Sequence, residues 1–137
     1  MTHTASCLCA GVRFRITEAL APVQVCHCGQ CRKAQGSAFA ANIPVARAAF
    51  VLDSGAELLR EFESSPGKKR AFCSRCGSPV YSRRDAAPQV LRVRAGLLDE
   101  PLGVSIAAHY CVDSKAGWWS VDDALPRHAG PFVPPPA

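Results

Sequence analysis

Seven of the eight cysteines stand in three tight groups whose spacing is typical of metal ligands. Two residues separate Cys73 from Cys76, so both sulfurs can face one ion across a tight turn, and Gly77 can take the positive φ that closes this turn. Cys7 and Cys9 place two more sulfurs on one side of an extended chain. Pairing these two groups predicts a closed four-sulfur zinc site with a structural role.

The middle group, Cys26, Cys28 and Cys31, offers three sulfurs within six residues. A zinc ion with three protein ligands keeps a fourth position for water or substrate, which distinguishes catalytic from structural zinc. Two alternatives stay open: His27 or the distant Cys111 could be the fourth ligand, and the site would then be structural. We expect His27 to point away from its neighbours in an extended segment, and Cys111 to be a buried free thiol in an apolar strand. Spacing alone does not decide which groups share an ion.

Composition limits the kind of protein that carries these groups. The chain has 137 residues, 48% of them hydrophobic, which predicts one domain with a modest core. No apolar run approaches the roughly 18 residues of a membrane span, and the first residues lack the pattern of a signal peptide. We therefore expect a soluble cytoplasmic protein, in which reduced thiols favour metal over disulfides.

The formal charge of +5 favours anionic partners in general. Two zinc–thiolate sites would lower it to about +2, because each cysteine ligand is deprotonated. This balance does not demand nucleic acid as a partner.

Short alternating runs separated by Gly, Pro, Ser and Asp clusters predict a mainly β architecture. We expect only single helical turns, at residues 32–35 and 122–125. The Pro-rich residues 126–137 are predicted to form an extended tail, with Phe132 packed against a domain formed by residues 1–125. The predicted strands span residues 12–16, 38–45, 57–62, 69–72, 79–82, 89–95 and 104–110.

Ordered motifs along almost the whole chain resemble the glutathione-dependent formaldehyde-activating enzymes, a family grouped with the centromere protein V domain. Several motifs in a fixed order are far more specific than one cysteine pair. The matching residues are Cys7-x-Cys9-x-Gly11-Val12-Arg13-Phe14, then Cys26-His27-Cys28-x-x-Cys31-Arg32-Lys33-x-x-Gly36-Ser37-x-Phe39, then Phe72-Cys73-x-x-Cys76-Gly77-Ser78, and finally His109, Ser114-Lys115, Trp118 and Asp122.

The resemblance implies a compact Mss-four-like fold of coiled antiparallel sheets and two zinc ions per chain. It implies that the closed group holds the structural ion and that Cys26, Cys28 and Cys31 hold a catalytic, labile one. The family's reaction, a carbon–sulfur lyase activity in reverse, adds the glutathione thiol to formaldehyde and gives S-(hydroxymethyl)glutathione. A related thiol or another small electrophile is an equally open expectation.

The resemblance also provides candidates for substrate contacts. Glutathione carries two carboxylates, which Arg32, Lys33 and Lys115 would bind, although each of these cations is also normal on any protein surface. His109 is a candidate for orienting the substrate, although a lone histidine in an apolar strand is more often structural. Of two adjacent tryptophans, we expect Trp118 in the core and Trp119 on the surface.

A second class of function remains. A zinc-stabilised binding module for protein or nucleic acid would hold both metals for structure alone, and its footprint would be the basic clusters at residues 68–70 and 83–84. Acidic neighbours interrupt these clusters, and no basic stripe alternates with aromatic residues as in single-strand binders.

Overall fold

The computed structural model describes residues 2–133, which contain ten strands and one α-helix. The mainly β prediction is confirmed. The strands are β1 (His3–Ser6), β2 (Arg13–Ile16), β3 (Val23–Cys26), β4 (Ala40–Ala46), β5 (Phe50–Ser54), β6 (Leu59–Ser65), β7 (Lys68–Cys73), β8 (Pro79–Arg84), β9 (Val90–Arg94) and β10 (Ile106–Tyr110). The helix α1 spans Gly29–Gln35, and short 3₁₀ turns span Arg47–Ala49, Ala95–Leu97 and Val112–Ser114.

The strands form two sheets. One has three strands in the order β1-β2-β5, and the other has seven in the order β10-β3-β4-β9-β8-β7-β6. The pairings are antiparallel except that of β10 with β3, which is parallel. One edge differs from the expected antiparallel pattern, because a long connection brings β10 back beside β3 in the same direction.

The main core fills the space between the sheets. On β4, Ile43 and Val45 belong to this core, whereas Ala40 packs with cysteines on the opposite face. Phe14 and Phe50 stack with ring centroids 4.7 Å apart and join the small sheet to the core. Alternation along β4 thus separates an apolar face from a second face on which the candidate site lies.

Several local predictions were incomplete or wrong. Strands β1, β3 and β5 were not predicted. Neither His3–Ser6 nor Phe50–Ser54 alternates apolar with polar residues, and all three strands are held by pairing with neighbours. Helix α1 begins three residues before the predicted turn. Residues 122–125 are not helical. Trp118 is 73% exposed instead of in the core, because it lies in a surface loop where strand alternation does not apply.

Residues 126–132 run beside β10. The His109 N–H donates to Pro126 O at 2.9 Å, and the Cys111 N–H donates to Gly130 O at 3.0 Å. The Phe132 ring meets the Tyr110 ring edge-on at 5.6 Å, as the packing prediction required. The domain boundary at residue 125 stays a prediction, and residues 134–137 of the predicted tail lie outside the described part of the chain.

Within residues 2–133, no helix combines the length and the apolar character needed to cross a membrane.

Candidate metal centres

The structure brings together the two cysteine pairs that the sequence assigned to one closed site. The Sγ atoms of Cys7, Cys9, Cys73 and Cys76 lie within 4.8 Å of one another. Cys9 Sγ is 3.6 Å from Cys7 Sγ and 3.8 Å from Cys73 Sγ. Tetrahedral zinc with Zn–S bonds of about 2.3 Å needs sulfurs about 3.8 Å apart. The donor set therefore fits a structural zinc ion.

Two tight turns present these sulfurs. After β7, the Gly77 N–H donates to Cys73 O at 2.8 Å, and the Gly77 φ of +79° closes the turn as predicted. After β1, Ala10 takes a φ of +61° and donates its N–H to Cys7 O at 2.9 Å. The Val12 N–H donates to Cys7 Sγ at 3.3 Å, so the backbone supports this sulfur as a thiolate.

Neighbouring donors favour the ionised form of the outer sulfurs. Arg75 Nε lies 3.3 Å from Cys9 Sγ and lowers the pKa of Cys9. Ser78 Oγ accepts the Leu8 N–H and lies 3.3 Å from Cys76 Sγ. This contact with Ser78 lowers the Cys76 pKa to about 5. Burial raises the pKa of Cys7. Ionised sulfurs are the form that binds a metal.

The second group forms where β3 meets α1. Cys26 ends β3, Cys28 is the N-cap of α1, and Cys28 Sγ accepts the Cys31 N–H at 3.2 Å. The three sulfurs lie within 4.8 Å of one another, and no fourth His, Cys, Asp or Glu of residues 2–133 completes the group. Cys26 and Cys31 are buried, whereas Cys28 is half-buried. Three soft donors with one open side fit a zinc ion that keeps a free position.

A buried cation touches this second group. Arg70 Nη1 and Nη2, from β7, both lie 3.7 Å from Cys31 Sγ. Hydrogen bonds from Cys26 and Cys28 lower the pKa of Cys31, and Arg70 lowers it further. Contacts with Cys28 and Cys31, together with burial, raise the pKa of Cys26. The group thus holds negative charge best at the sulfur facing Arg70.

His27 points away from the neighbouring sulfurs, as predicted. It is fully buried, and its Nε2 lies 2.9 Å from His109 Nδ1, while His109 Nε2 lies 2.8 Å from Asp123 Oδ2. Burial lowers the pKa of His27. His109 thus belongs to a chain of side chains that does not include the cysteines, and a cleft of about 480 Å³ beside it is lined by Phe39 and Trp119.

Cys111 lies just beyond the end of β10 with a φ of +55°. It packs beside Cys26 and Cys31, but its sulfur is not within 4.8 Å of all three clustered sulfurs. Burial raises the pKa of Cys111. It is half-buried, so the expectation of a fully buried thiol is corrected: Cys111 stands at the border of the three-cysteine group.

The three predicted anchors for carboxylates lie on two elements, α1 and the loop after the last 3₁₀ turn. Arg32 is half-buried on α1, and Lys33 on the same helix is exposed. Lys115 Nζ donates to Trp119 O at 2.8 Å and so holds its own loop. Their contacts with a substrate stay predictions.

Sequence reasoning missed other cations near the sulfurs. Arg70 was interpreted as part of a basic surface cluster, and the Arg92 and Arg94 side chains were not singled out. All three are at most 8% exposed. The sequence pattern that could have identified Arg92 and Arg94 is the alternation Leu91-Arg92-Val93-Arg94. It places both arginines on the strand face opposite the apolar core.

Comparisons with known proteins agree with this geometry. The family model described as glutathione-dependent formaldehyde-activating enzyme matches residues 2–114. A Halomonas elongata protein named for the same family is 30% identical over 126 residues, which cover 85% of this chain and 79% of that protein.

A crystal structure of a Rhodobacter sphaeroides protein is similar in fold, with a TM-score of 0.61 and 24% identity. The match covers 76% of this chain and 99% of that one. The family match spans both cysteine groups and most of the strands that carry them. On this sequence match, the chain belongs to the glutathione-dependent formaldehyde-activating enzyme family.

Proposed function

We propose that the chain is a zinc-dependent enzyme of the carbon–sulfur lyase type, which adds the thiol of glutathione, or of a related thiol, to formaldehyde or another small electrophile. The observation that carries this proposal is the three-cysteine group with its open fourth position. The closed four-sulfur group leaves no such position, and its role is structural. The family description supports glutathione as the thiol.

The residues around the open group suit thiol chemistry. Zinc bound there would supply a Lewis-acidic position at which a thiol is ionised near neutral pH. Cys26 and Cys31 are buried and fix two sides of the position, whereas half-buried Cys28 marks the side open to solvent. The substrate sulfur then attacks the aldehyde carbon, a carbon–sulfur bond forms, and the aldehyde oxygen takes up a proton to give the S-hydroxymethyl product.

The test of this proposal is whether binding depends on the thiol. S-methylglutathione keeps both carboxylates and every peptide group but lacks an ionisable sulfur. Calorimetry on the zinc-loaded chain at neutral pH should show at least about tenfold weaker binding of the S-methyl compound, since a metal–thiolate contact is lost. Equal affinity for the two compounds would contradict the proposal.

A second measurement addresses catalysis. Formaldehyde adds to glutathione without help, so the enzyme must be compared with the uncatalysed exchange. Exchange spectroscopy by NMR should show faster formation of S-(hydroxymethyl)glutathione with the chain present, and no acceleration with Cys28→Ser. If the chain accelerates exchange only with a thiol other than glutathione, that thiol is the substrate and the proposed reaction class still holds.

The geometry counts against the alternative of a nucleic-acid binding module. Lys68 and Arg70 of the first basic cluster are buried, at 6% and 8% exposure. Lys69 pairs with Asp85 at 2.6 Å, and Arg83 pairs with Glu61 at 2.8 Å. Most of the charges that would form the footprint are therefore already engaged or covered.

A further inference from the structure

One face of the seven-stranded sheet carries four buried cations close to the open cysteine group. Lys68, Arg70, Arg92 and Arg94 are 6%, 8%, 6% and 5% exposed. The strand register sets Arg70 opposite Ser82 and Ser82 opposite Arg92, while Arg94 stands opposite Asn42. Lysine and arginine are almost never buried to this degree without a partner.

Within the described residues, these cations have no carboxylate partner. Across residues 2–133, no Asp or Glu lies within ion-pair distance of any of the four. Arg94 donates to the side chains of Asn42 and Ser82, which are neutral. Arg94 Nε, Arg92 Nε and Arg92 Nη2 are buried without any hydrogen-bond partner. Burying a charge without a partner costs free energy. An anionic ligand bound beside these cations is the simplest way to offset that cost.

The cysteine group supplies only part of that balance. Three thiolates with one divalent ion carry about −1, which leaves a surplus of about three positive charges from the four cations. Burial lowers the pKa of Lys68 to about 8 and that of Arg94 to about 10, as expected for cations that lack anions. Glutathione with an ionised thiol carries about −2, from three anionic groups and one ammonium. The charge of bound glutathione would therefore offset most of the surplus positive charge of the four cations.

A cleft gives a ligand access to two of these cations. Arg70 and Arg94 line a space of about 250 Å³ together with Gln35, Phe62 and Pro79. Gln35 Nε2 is also buried without a partner. A neighbouring cleft of about 350 Å³ shares Gln35, Pro79 and Arg94. Two residues with an unpaired donor, Arg94 and Gln35, therefore line a cavity close to the size used by small ligands.

Arg70 connects this cleft to the sulfurs. Its guanidinium contacts Cys31 Sγ at 3.7 Å, and Arg70 is also one of the residues that line the cleft. We propose that Arg94 and Arg70 form an anion subsite that binds a carboxylate of the thiol substrate while its sulfur occupies the open position at Cys26, Cys28 and Cys31. This inference rests on the proposed function, and it assigns the carboxylate to the buried pair and not to Arg32, Lys33 or Lys115.

The test compares three thiols on the zinc-loaded chain by calorimetry. Glutathione carries both carboxylates, its diethyl ester carries none, and 2-mercaptoethanol reports the open metal position alone. Glutathione should bind at least tenfold more tightly than its diethyl ester. In Arg94→Met that preference should disappear, while the affinity for 2-mercaptoethanol stays unchanged. Arg47→Met, an exposed arginine beyond the far end of β4, is the matched control and should keep the preference.

The outcomes separate this subsite from the function on which it rests. Equal affinity of the unaltered chain for glutathione and its diethyl ester overturns the subsite without using any variant, and thiol-dependent binding would still support the proposed function. An equal loss of glutathione and 2-mercaptoethanol binding in Arg94→Met shows that Arg94 acts on the metal position and also overturns the subsite. Failure of every thiol to bind overturns both.

Discussion

At the scale of single residues, Cys28 has two tasks. Its sulfur is one of three in the open group, and it also accepts the Cys31 N–H as the N-cap of α1. Serine is among the strongest N-caps, and a serine oxygen would accept the same N–H. A cysteine-to-serine change at this position therefore separates metal binding from helix formation.

We predict that Cys28→Ser lowers the zinc content from two ions to one per chain and reduces activity by at least about a hundredfold, because a protein ligand is removed. The melting temperature should change by no more than a few degrees, since the cap and the closed site remain. Atomic absorption, the NMR exchange assay and calorimetry measure the three quantities. Unfolding as thorough as that expected for loss of the closed site would contradict separate roles for the two groups.

At the scale of elements, the closed group joins parts of the chain that are far apart in sequence. Cys7 and Cys9 lie between β1 and β2 of the small sheet, whereas Cys73 ends β7 of the large sheet and Cys76 lies between β7 and β8. The Leu8 N–H donates to Ser78 Oγ at 2.9 Å across the same junction. Metal binding at this point adds directly to the free energy of folding.

We predict that Cys76→Ser makes the chain insoluble or molten, because a zinc ion bound by the four sulfurs would join the two sheets and this variant would lose it. Near-UV circular dichroism and a thermal melt test this expectation. Cys111→Ser is the matched control, since Cys111 belongs to neither sulfur group, and it should melt close to the unaltered chain. A soluble Cys76→Ser chain with an unchanged melting temperature would overturn the structural role.

At the scale of the whole molecule, residues 126–132 complete the edge of the large sheet. They satisfy backbone N–H groups of β10, and Phe132 covers two side chains of the body. One is Tyr110, and the other is buried Arg92, whose guanidinium carbon lies 5.4 Å from the Phe132 ring centre. This contact helps to shield a cation from water.

We predict that Phe132→Ala lowers the free energy of unfolding by about 1 kcal/mol, from lost ring contacts and a less well covered Arg92. Differential scanning calorimetry measures the change. Val133→Ala is the matched control, because Val133 is 78% exposed and its removal should have no effect. An equal effect of the two substitutions would show that Phe132 is not a packing residue.

Much of this molecule follows from its sequence. Cysteine spacing and ordered motifs were enough to divide seven sulfurs into a closed and an open group, because ligands of one ion must be close in the chain or be brought together by the fold. Strands with one apolar face, such as β4, β7 and β9, were also predicted. His27 was correctly placed away from the metal because neighbours in an extended segment alternate.

Tertiary structure decided what depends on neighbours distant in sequence. The strands β1 and β5 show no apolar–polar alternation in sequence, and with β3 they are held by pairing with neighbours. The parallel contact of β10 with β3 has no local signal either. The sequence also assigned carboxylate binding to exposed or half-buried cations. Only the packed sheet showed that Arg70, Arg92 and Arg94 lie buried beside the sulfurs, because burial of a charged residue is set by what the fold lays over it.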